Sequence, residues 1–163
     1  MSLIKQRRFA PYFLTQFLGA FNDNVFKNAL VILLTFKIVS EHSNILVNLA
    51  AVIFILPFFL FSPLAGQIAD KNEKSALIRK IKAIEIGIMI IGVIGLYLNS
   101  IPVLLTVLFL MGTQSTFFGP IKYSILPQHL KSDELMGGNA MVEGGTFLAI
   151  LLGTILGLSL IHI

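Results

Sequence analysis

The sequence predicts an all-α integral membrane protein of about five transmembrane helices, and three observations carry that prediction. Hydrophobic residues make up 56% of the 163 and charged residues only 12%, against roughly 25% charged in a typical soluble domain. Apolar stretches run for about 20 residues with few charges, the length that crosses a bilayer core. Basic residues gather beside those stretches, most of them on one side, as membrane orientation requires. The chain contains no cysteine, which excludes disulfides, thiolate metal sites and cysteine nucleophiles and leaves the compartment unread from redox chemistry.

A formal net charge of +4 could suit a nucleic-acid partner, but basic residues set beside apolar spans are better explained by orientation, and no nucleic acid is expected. Lys5, Arg7 and Arg8 open the chain as a signal peptide would. The apolar run behind them outlasts an h-region and contains Asn22, Asp23 and Asn24, so no cleavable signal is expected.

The first span is expected over residues 11–39. Pro11 suits a helix's first turn, and Glu41, His42, Ser43 and Asn44 mark the exit. Its middle is unusually polar, reading Phe21-Asn22-Asp23-Asn24-Val25-Phe26-Lys27-Asn28. An unpaired charge at that depth costs at least about 2.5 to 3.5 kcal/mol, so something must offset it. Asp23 precedes Lys27 by four residues, which lets the two pair on one helical face that Gly19 continues, while Asn24 and Asn28 line the adjacent face. A local ion pair that merely neutralises itself is one reading. The reading adopted is that Asn22, Asp23, Asn24, Lys27 and Asn28 line a substrate pathway.

A second span, 45–65, is almost purely apolar, and Pro57 and Pro63 should kink it or close its end. Gly66 then opens a charged loop, 66–80, with a tight turn. The third span is expected over 81–98, and the short turn Asn99-Ser100 leads to a fourth over 101–118 that Gly119 and Pro120 end. Residues 121–138 mix Lys122, Tyr123, Leu126, Pro127, Leu130 and Asp133, too polar to span and too apolar for a free linker, and read as interfacial. The fifth span, 139–161, sets Gly145, Ala149, Gly153 and Gly157 four apart, one stripe on which another helix can come close.

Lys5, Arg7, Arg8, Lys71, Lys74, Arg79, Lys80, Lys82, Lys122 and Lys131, ten of the twelve basic residues, fall on one side of these spans. The N-terminus and both long loops are therefore expected in the cytoplasm, with the third-to-fourth turn facing outward. Five spans leave an odd helix without the symmetric partner of repeat-built transporters. The chain is expected to be a partial N-terminal bundle, 1–163, lacking a C-terminal half, and Ser159–Ile163 read as a truncation scar with no function.

Gly66-Gln67-Ile68-Ala69-Asp70-Lys71-Asn72-Glu73-Lys74 resembles the cytoplasmic loop motif between helices two and three of the major facilitator superfamily. Gly66, Asp70, Lys71 and Lys74 match, while Glu73 replaces the motif's second glycine and Ser75 a later basic residue. The resemblance implies a latch whose acid contacts helix ends and bases to hold one conformation of an alternating cycle. The ordinary alternative is a positive-inside loop. Phe21–Asn28, Gly119–Pro127 continuing through Glu134-Leu135 to Asn139-Ala140, and Glu143-Gly144-Gly145-Thr146-Phe147 are similar to the lysophospholipid transporter branch. With them the resemblance covers nearly the whole chain and implies movement of lyso-phosphatidylethanolamine across the bacterial inner membrane. Some members of that branch are fused to acyltransferase and acyl-carrier-protein synthetase domains, neither of which is present here.

Lys122 follows the Gly-Pro pair at the expected interface, where its cation could meet a lipid phosphate as a point charge. Glu85 and Glu143 sit near the cytoplasmic ends of their spans, where acids complement a helix dipole by default. Facing Lys122 or Arg79 across helices, either would form part of a gate. His42, His129 and His162 have no partner at ligand spacing, so neither a metal site nor a catalytic triad is expected. Gly87, Gly92 and Gly95 lie in an apolar span and follow no strand, so no nucleotide fingerprint is read and no cofactor is called for. The function expected is transport of a lipid or lysolipid between bilayer leaflets, without enzyme chemistry. Export of a small hydrophobic drug or metabolite, the membrane part of a fused acyltransferase, and a non-transporting scaffold are the alternatives.

Overall fold

The computed structural model describes residues 3–37 and 43–159, and every regular element among them is helical. A short 3-10 turn at Leu3–Lys5 precedes α1 (Ala10–Ile32), which passes into a π-helical turn at Leu33–Lys37. Then follow α2 (Ser43–Lys71), α3 (Lys74–Tyr97), α4 (Ile101–Ser124), α5 (Leu126–His129) and α6 (Leu135–Ser159). The expected exit residues Val39, Glu41 and His42, and the tail beyond Ser159 with His162, lie outside the described residues. Four stretches, Ala10–Thr35, Ile45–Lys71, Ile101–Ser124 and Leu135–Ser159, are long and apolar enough to cross a membrane. The helix α3 is as long, but its first half carries Arg79, Lys80, Lys82 and Glu85.

Two expected breaks are not breaks. Gly66 does not open a loop, since α2 runs through Pro57, Pro63 and Gly66 to Lys71 and α3 begins at Lys74. A side chain at Gly66 would meet nothing, so no tight turn needs its freedom. The change of direction falls on Asn72 and Glu73. Asn72 Nδ2 donates to the Ile68 carbonyl at 2.8 Å, and the Glu73 carboxylate accepts the N–H groups of Ser75 and Ala76 as the N-cap of α3. Gly119-Pro120 likewise does not end α4, which continues to Ser124. A proline inside a helix costs about 3 kcal/mol, and burial of Ile121 in a cluster with Ala69 and Ile81 offsets it. The last helix starts at Leu135, earlier than residue 139: the Gly138 N–H already donates to the Glu134 carbonyl at 2.8 Å, closing its first turn.

The turn between α3 and α4 is as expected. Asn99 adopts φ 50°, Ser100 N–H donates to Gly95 O at 3.0 Å and Asn99 N–H to Leu96 O at 3.1 Å. That is a Schellman stop with asparagine in the left-handed position usually given to glycine.

The helices divide into two compact units, one of α1, α5 and α6 and one of α2, α3 and α4. In the first, Phe9, Leu126, Leu130 and Val142 form a buried cluster, and Phe13 stacks on Phe9 at 5.9 Å. In the second, α2 and α3 each pack on α4. At the α2–α4 crossing Gly112 lies beneath the Phe54 carbonyl oxygen, in space that any side chain would contest. At the α3–α4 crossing a Cβ on Gly95 would stand 2.9 Å from Val103 Cγ1.

Candidate functional site

Polar residues of α1 divide between different faces of the helix, because each residue advances about 100°. One face meets α6. The small residues Gly145, Ala149, Gly153 and Gly157 are all buried there, and a Cβ on Gly153 would stand 2.6 Å from Phe21 O and 3.0 Å from Asn24 Cβ. A Cβ on Gly157 would stand 2.7 Å from Asn28 Cβ. The expected close approach of another helix is thus made by α1. Asn24 Nδ2 donates to Ala20 O at 2.7 Å, and Asn28 Nδ2 donates to Asn24 O at 2.7 Å and to Thr154 Oγ1 at 3.3 Å. Gln16, 2% exposed, accepts from Thr146 Oγ1 at 3.0 Å. Asn24 and Asn28, expected in the pathway, therefore stand in the α1–α6 seam.

Asn22 lies about 200° around the helix from Asn24. Its Nδ2 is buried and has no hydrogen-bond partner among the described residues. A buried amide donor left unmet costs about 1–3 kcal/mol, so such a group calls for an explanation. Asp23 and Lys27 are half-buried one turn apart, and the Asp23 charge acts on Lys27. Gly19, one turn before Asp23, is buried as well.

A second polar group holds α3 on α4. The buried Glu85 carboxylate accepts from Lys82 Nζ and from Gln114 Nε2, the latter at 2.7 Å. The Lys82 ammonium also lies over the Phe118 ring, 4.6 Å from its centre, an arrangement that attracts a cation to the ring face. Glu85 thus spends its charge on Lys82 and Gln114; the gate considered for it as the alternative to a helix-dipole acid would need Lys122 or Arg79 instead. Lys122 belongs to the last turn of α4, half-buried, with Nζ 5.2 Å from the Tyr123 ring centre. Glu143 is half-buried in α6.

Of the residues expected in the latch, Gly66 is in the body of α2, Asp70 and Lys71 are exposed in its last turn, and Lys74 opens α3. Asp70 makes no hydrogen bond or ion pair among the described residues. The acid with partners is Glu73, whose carboxyl is held below the ordinary glutamate range by the N–H groups of Ala76 and Ser75, with a smaller contribution from Arg79.

Sequence reasoning missed Arg8 and Glu134. The Arg8 guanidinium donates to both Glu134 oxygens at 2.7 and 2.8 Å and to His129 O at 3.0 Å. Glu134 also accepts the Lys131 N–H at 2.9 Å. Nothing in the local pattern singles out a pair separated by 126 residues; only the acid just ahead of a helix start was a signal. The Lys131 N–H and then Arg8 hold the Glu134 carboxyl below the ordinary range. A depressed carboxyl contributes stability above its unfolded pKa and loses it as pH falls through the folded one. Exchange protection of the Lys131 amide should therefore be constant near neutrality and collapse only below the ordinary glutamate range. Glu134→Ala, which has no side-chain acceptor, should lack the protection at every pH, and equal protection in that variant would count against the contact.

A family model described as Major Facilitator Superfamily matches residues 12–163. A protein named lysophospholipid transporter LplT from Salmonella paratyphi B is 32% identical over 142 residues, which is 87% of this chain and 33% of that protein. Proteins of the same name from Salmonella newport and Salmonella heidelberg are 31% identical over the same extent. The chain thus spans about a third of the length of these relatives. No solved structure matches it.

Proposed function

This chain belongs to the Major Facilitator Superfamily, and from that premise we propose that it supplies the first helices of a transporter moving lysophospholipid, such as lyso-phosphatidylethanolamine, across the bacterial inner membrane. The division of polar residues on α1 carries the reading. Asn24 and Asn28 spend their amides on helix carbonyls and α6, whereas Asn22 keeps a buried donor, and Asp23 and Lys27 set a carboxylate and an ammonium one turn apart on α1. A lysophospholipid headgroup presents the complementary set, a phosphate for Lys27, an ammonium for Asp23 and acceptor oxygens for the Asn22 amide. An uncharged hydrophobic drug offers neither charge. The name borne by relatives at 31–32% identity supports the same substrate class. In this reading Lys122 meets the phosphate at the cytoplasmic end, and the exposed Asp70, with Lys71 and Lys74, pairs in another conformation of the cycle. A second helix bundle, from elsewhere in the transporter, would complete the pathway.

The test is uptake by proteoliposomes containing the protein as its gene encodes it. Labelled lyso-phosphatidylethanolamine should cross at a protein-dependent rate, and a neutral hydrophobic dye should not. Transport of the dye alone would replace this reading with drug export.

Orientation is tested with single cysteines placed in this chain, which has none of its own, against the unsubstituted protein as the background. Asn72→Cys and Ser132→Cys should resist a membrane-impermeant maleimide in intact cells, and Leu98→Cys should react. Labelling of Asn72→Cys would invert the topology.

A further inference from the structure

The charges of α3 are not all accounted for by α4. Lys82 and Glu85 neutralise one another against Gln114 and Phe118, but Lys80 is exposed and makes no hydrogen bond or ion pair among the described residues. It stands at one end of a groove of about 380 Å³, walled by Ile81, Ile84 and Ile88 of α3 and Leu110 and Phe117 of α4, with Ile68 of α2 at its edge. That volume lies at the small end of ligand-sized cavities, about 300–1,000 Å³. The lining is almost wholly apolar, and no acid belongs to it. From Lys80 to Ile88 the groove follows two turns of α3, about 12 Å. A space of this form and volume takes a chain of methylenes, and it is too small for two turns of another helix, about 10–12 Å across.

We propose that this groove is the seat of a resident anionic diacyl phospholipid, one acyl chain lying along Ile84 and Ile88 and its phosphate on Lys80. Two features choose the headgroup. A cation without a protein counter-ion at the end of an apolar groove complements a net negative lipid, the pattern of basic pockets between transmembrane helices. The absence of an acid from the lining offers nothing to the ammonium of a zwitterionic one. Lys80 lies six residues into α3, and its long side chain can reach toward the headgroup level while its methylenes cover apolar wall. The lipid is separate from the transported substrate, and the inference does not depend on what that substrate is.

The experiment is lipid retention. The full-length protein is reconstituted in nanodiscs of phosphatidylcholine and phosphatidylglycerol in equal amounts, extracted in mild detergent, and its bound lipid counted by mass spectrometry. Wild-type protein should retain phosphatidylglycerol about fivefold over phosphatidylcholine, what one lysine near an anionic headgroup is worth. Lys80→Gln should erase the preference while lipid is still retained. Ile84→Trp, which fills the groove, should reduce retention of both lipids. Circular dichroism checks that each variant stays helical, and Lys80→Arg should restore the preference if Lys80→Gln loses it. Equal retention by the wild type, or a preference for phosphatidylglycerol that survives either Lys80→Gln or Ile84→Trp, would overturn the proposal.

Discussion

Asp23→Asn is expected to leave the protein inserted at its normal level while lowering the lysophospholipid transport proposed above by at least about tenfold, the loss matching about 1.4 kcal/mol of interaction. The amide keeps the shape of the carboxylate and removes only its charge, so packing of α1 is untouched. Asp23 lies in the most polar part of a stretch otherwise apolar enough to cross a membrane, and ionisable residues at such depth usually serve a pathway. A pair present only to neutralise itself makes a different prediction. Replacing both partners of a buried ion pair by apolar residues of similar volume is often neutral for stability. The double variant Asp23→Leu, Lys27→Met separates the two cases. Proteoliposome flux near the wild-type rate in that variant would make the pair structural, whereas loss in both variants at normal expression ties the charges to transport.

The largest effect on stability is expected at the seam between α1 and α6. Gly153→Leu forces a side chain into space where even a Cβ would lie 2.6 Å from the Phe21 carbonyl oxygen and 3.0 Å from Asn24 Cβ. Backbone cannot give way as a flexible side-chain end can, so the helices must part. Overpacking of this kind typically costs about 1–3 kcal/mol and occasionally more. Parting them would also cost the Asn28–Thr154 and Thr146–Gln16 contacts. Gly144→Leu supplies the control on the same helix, because Gly144 is exposed and a Cβ there would meet nothing. Its effect should stay within about 0.5 kcal/mol. Unfolding in mixed micelles, followed by circular dichroism, should show a lowered midpoint for Gly153→Leu only. Equal midpoints for the two variants would mean that α6 does not lie on α1.

What could be read in advance was periodic. The stripe from Gly145 to Gly157 announced a helix contact because residues four apart share a face, and the Asn99-Ser100 turn announced itself by residue type. Where reading failed, tertiary contacts outweighed local grammar. Pro120 looked like a stop, yet burial of Ile121 against Ala69 and Ile81 carries α4 past it. Gly66 looked like a turn, but the turn falls where Asn72 and Glu73 can satisfy the ends of α2 and α3. Within the candidate site, spacing located the polar stretch of α1 but could not separate Asn22 from Asn24, since the choice of neighbour for each face is made by α6. Glu85 was legible as an acid near a helix start, and its partner Gln114, 29 residues away, was not.

The asparagine amides of α1 bear on the order of events during synthesis. Asn24 and Asn28 each bond a carbonyl four residues earlier in α1 itself, so both are satisfied before any other helix exists. Thr154, the α6 partner of Asn28, follows it by 126 residues. At about 5–20 residues per second, a ribosome needs roughly 6 to 25 seconds to make that stretch. Through that interval α1 can wait in the lipid with these amides already occupied, and α6 on arrival needs only to lay its small residues against a helix that is already formed.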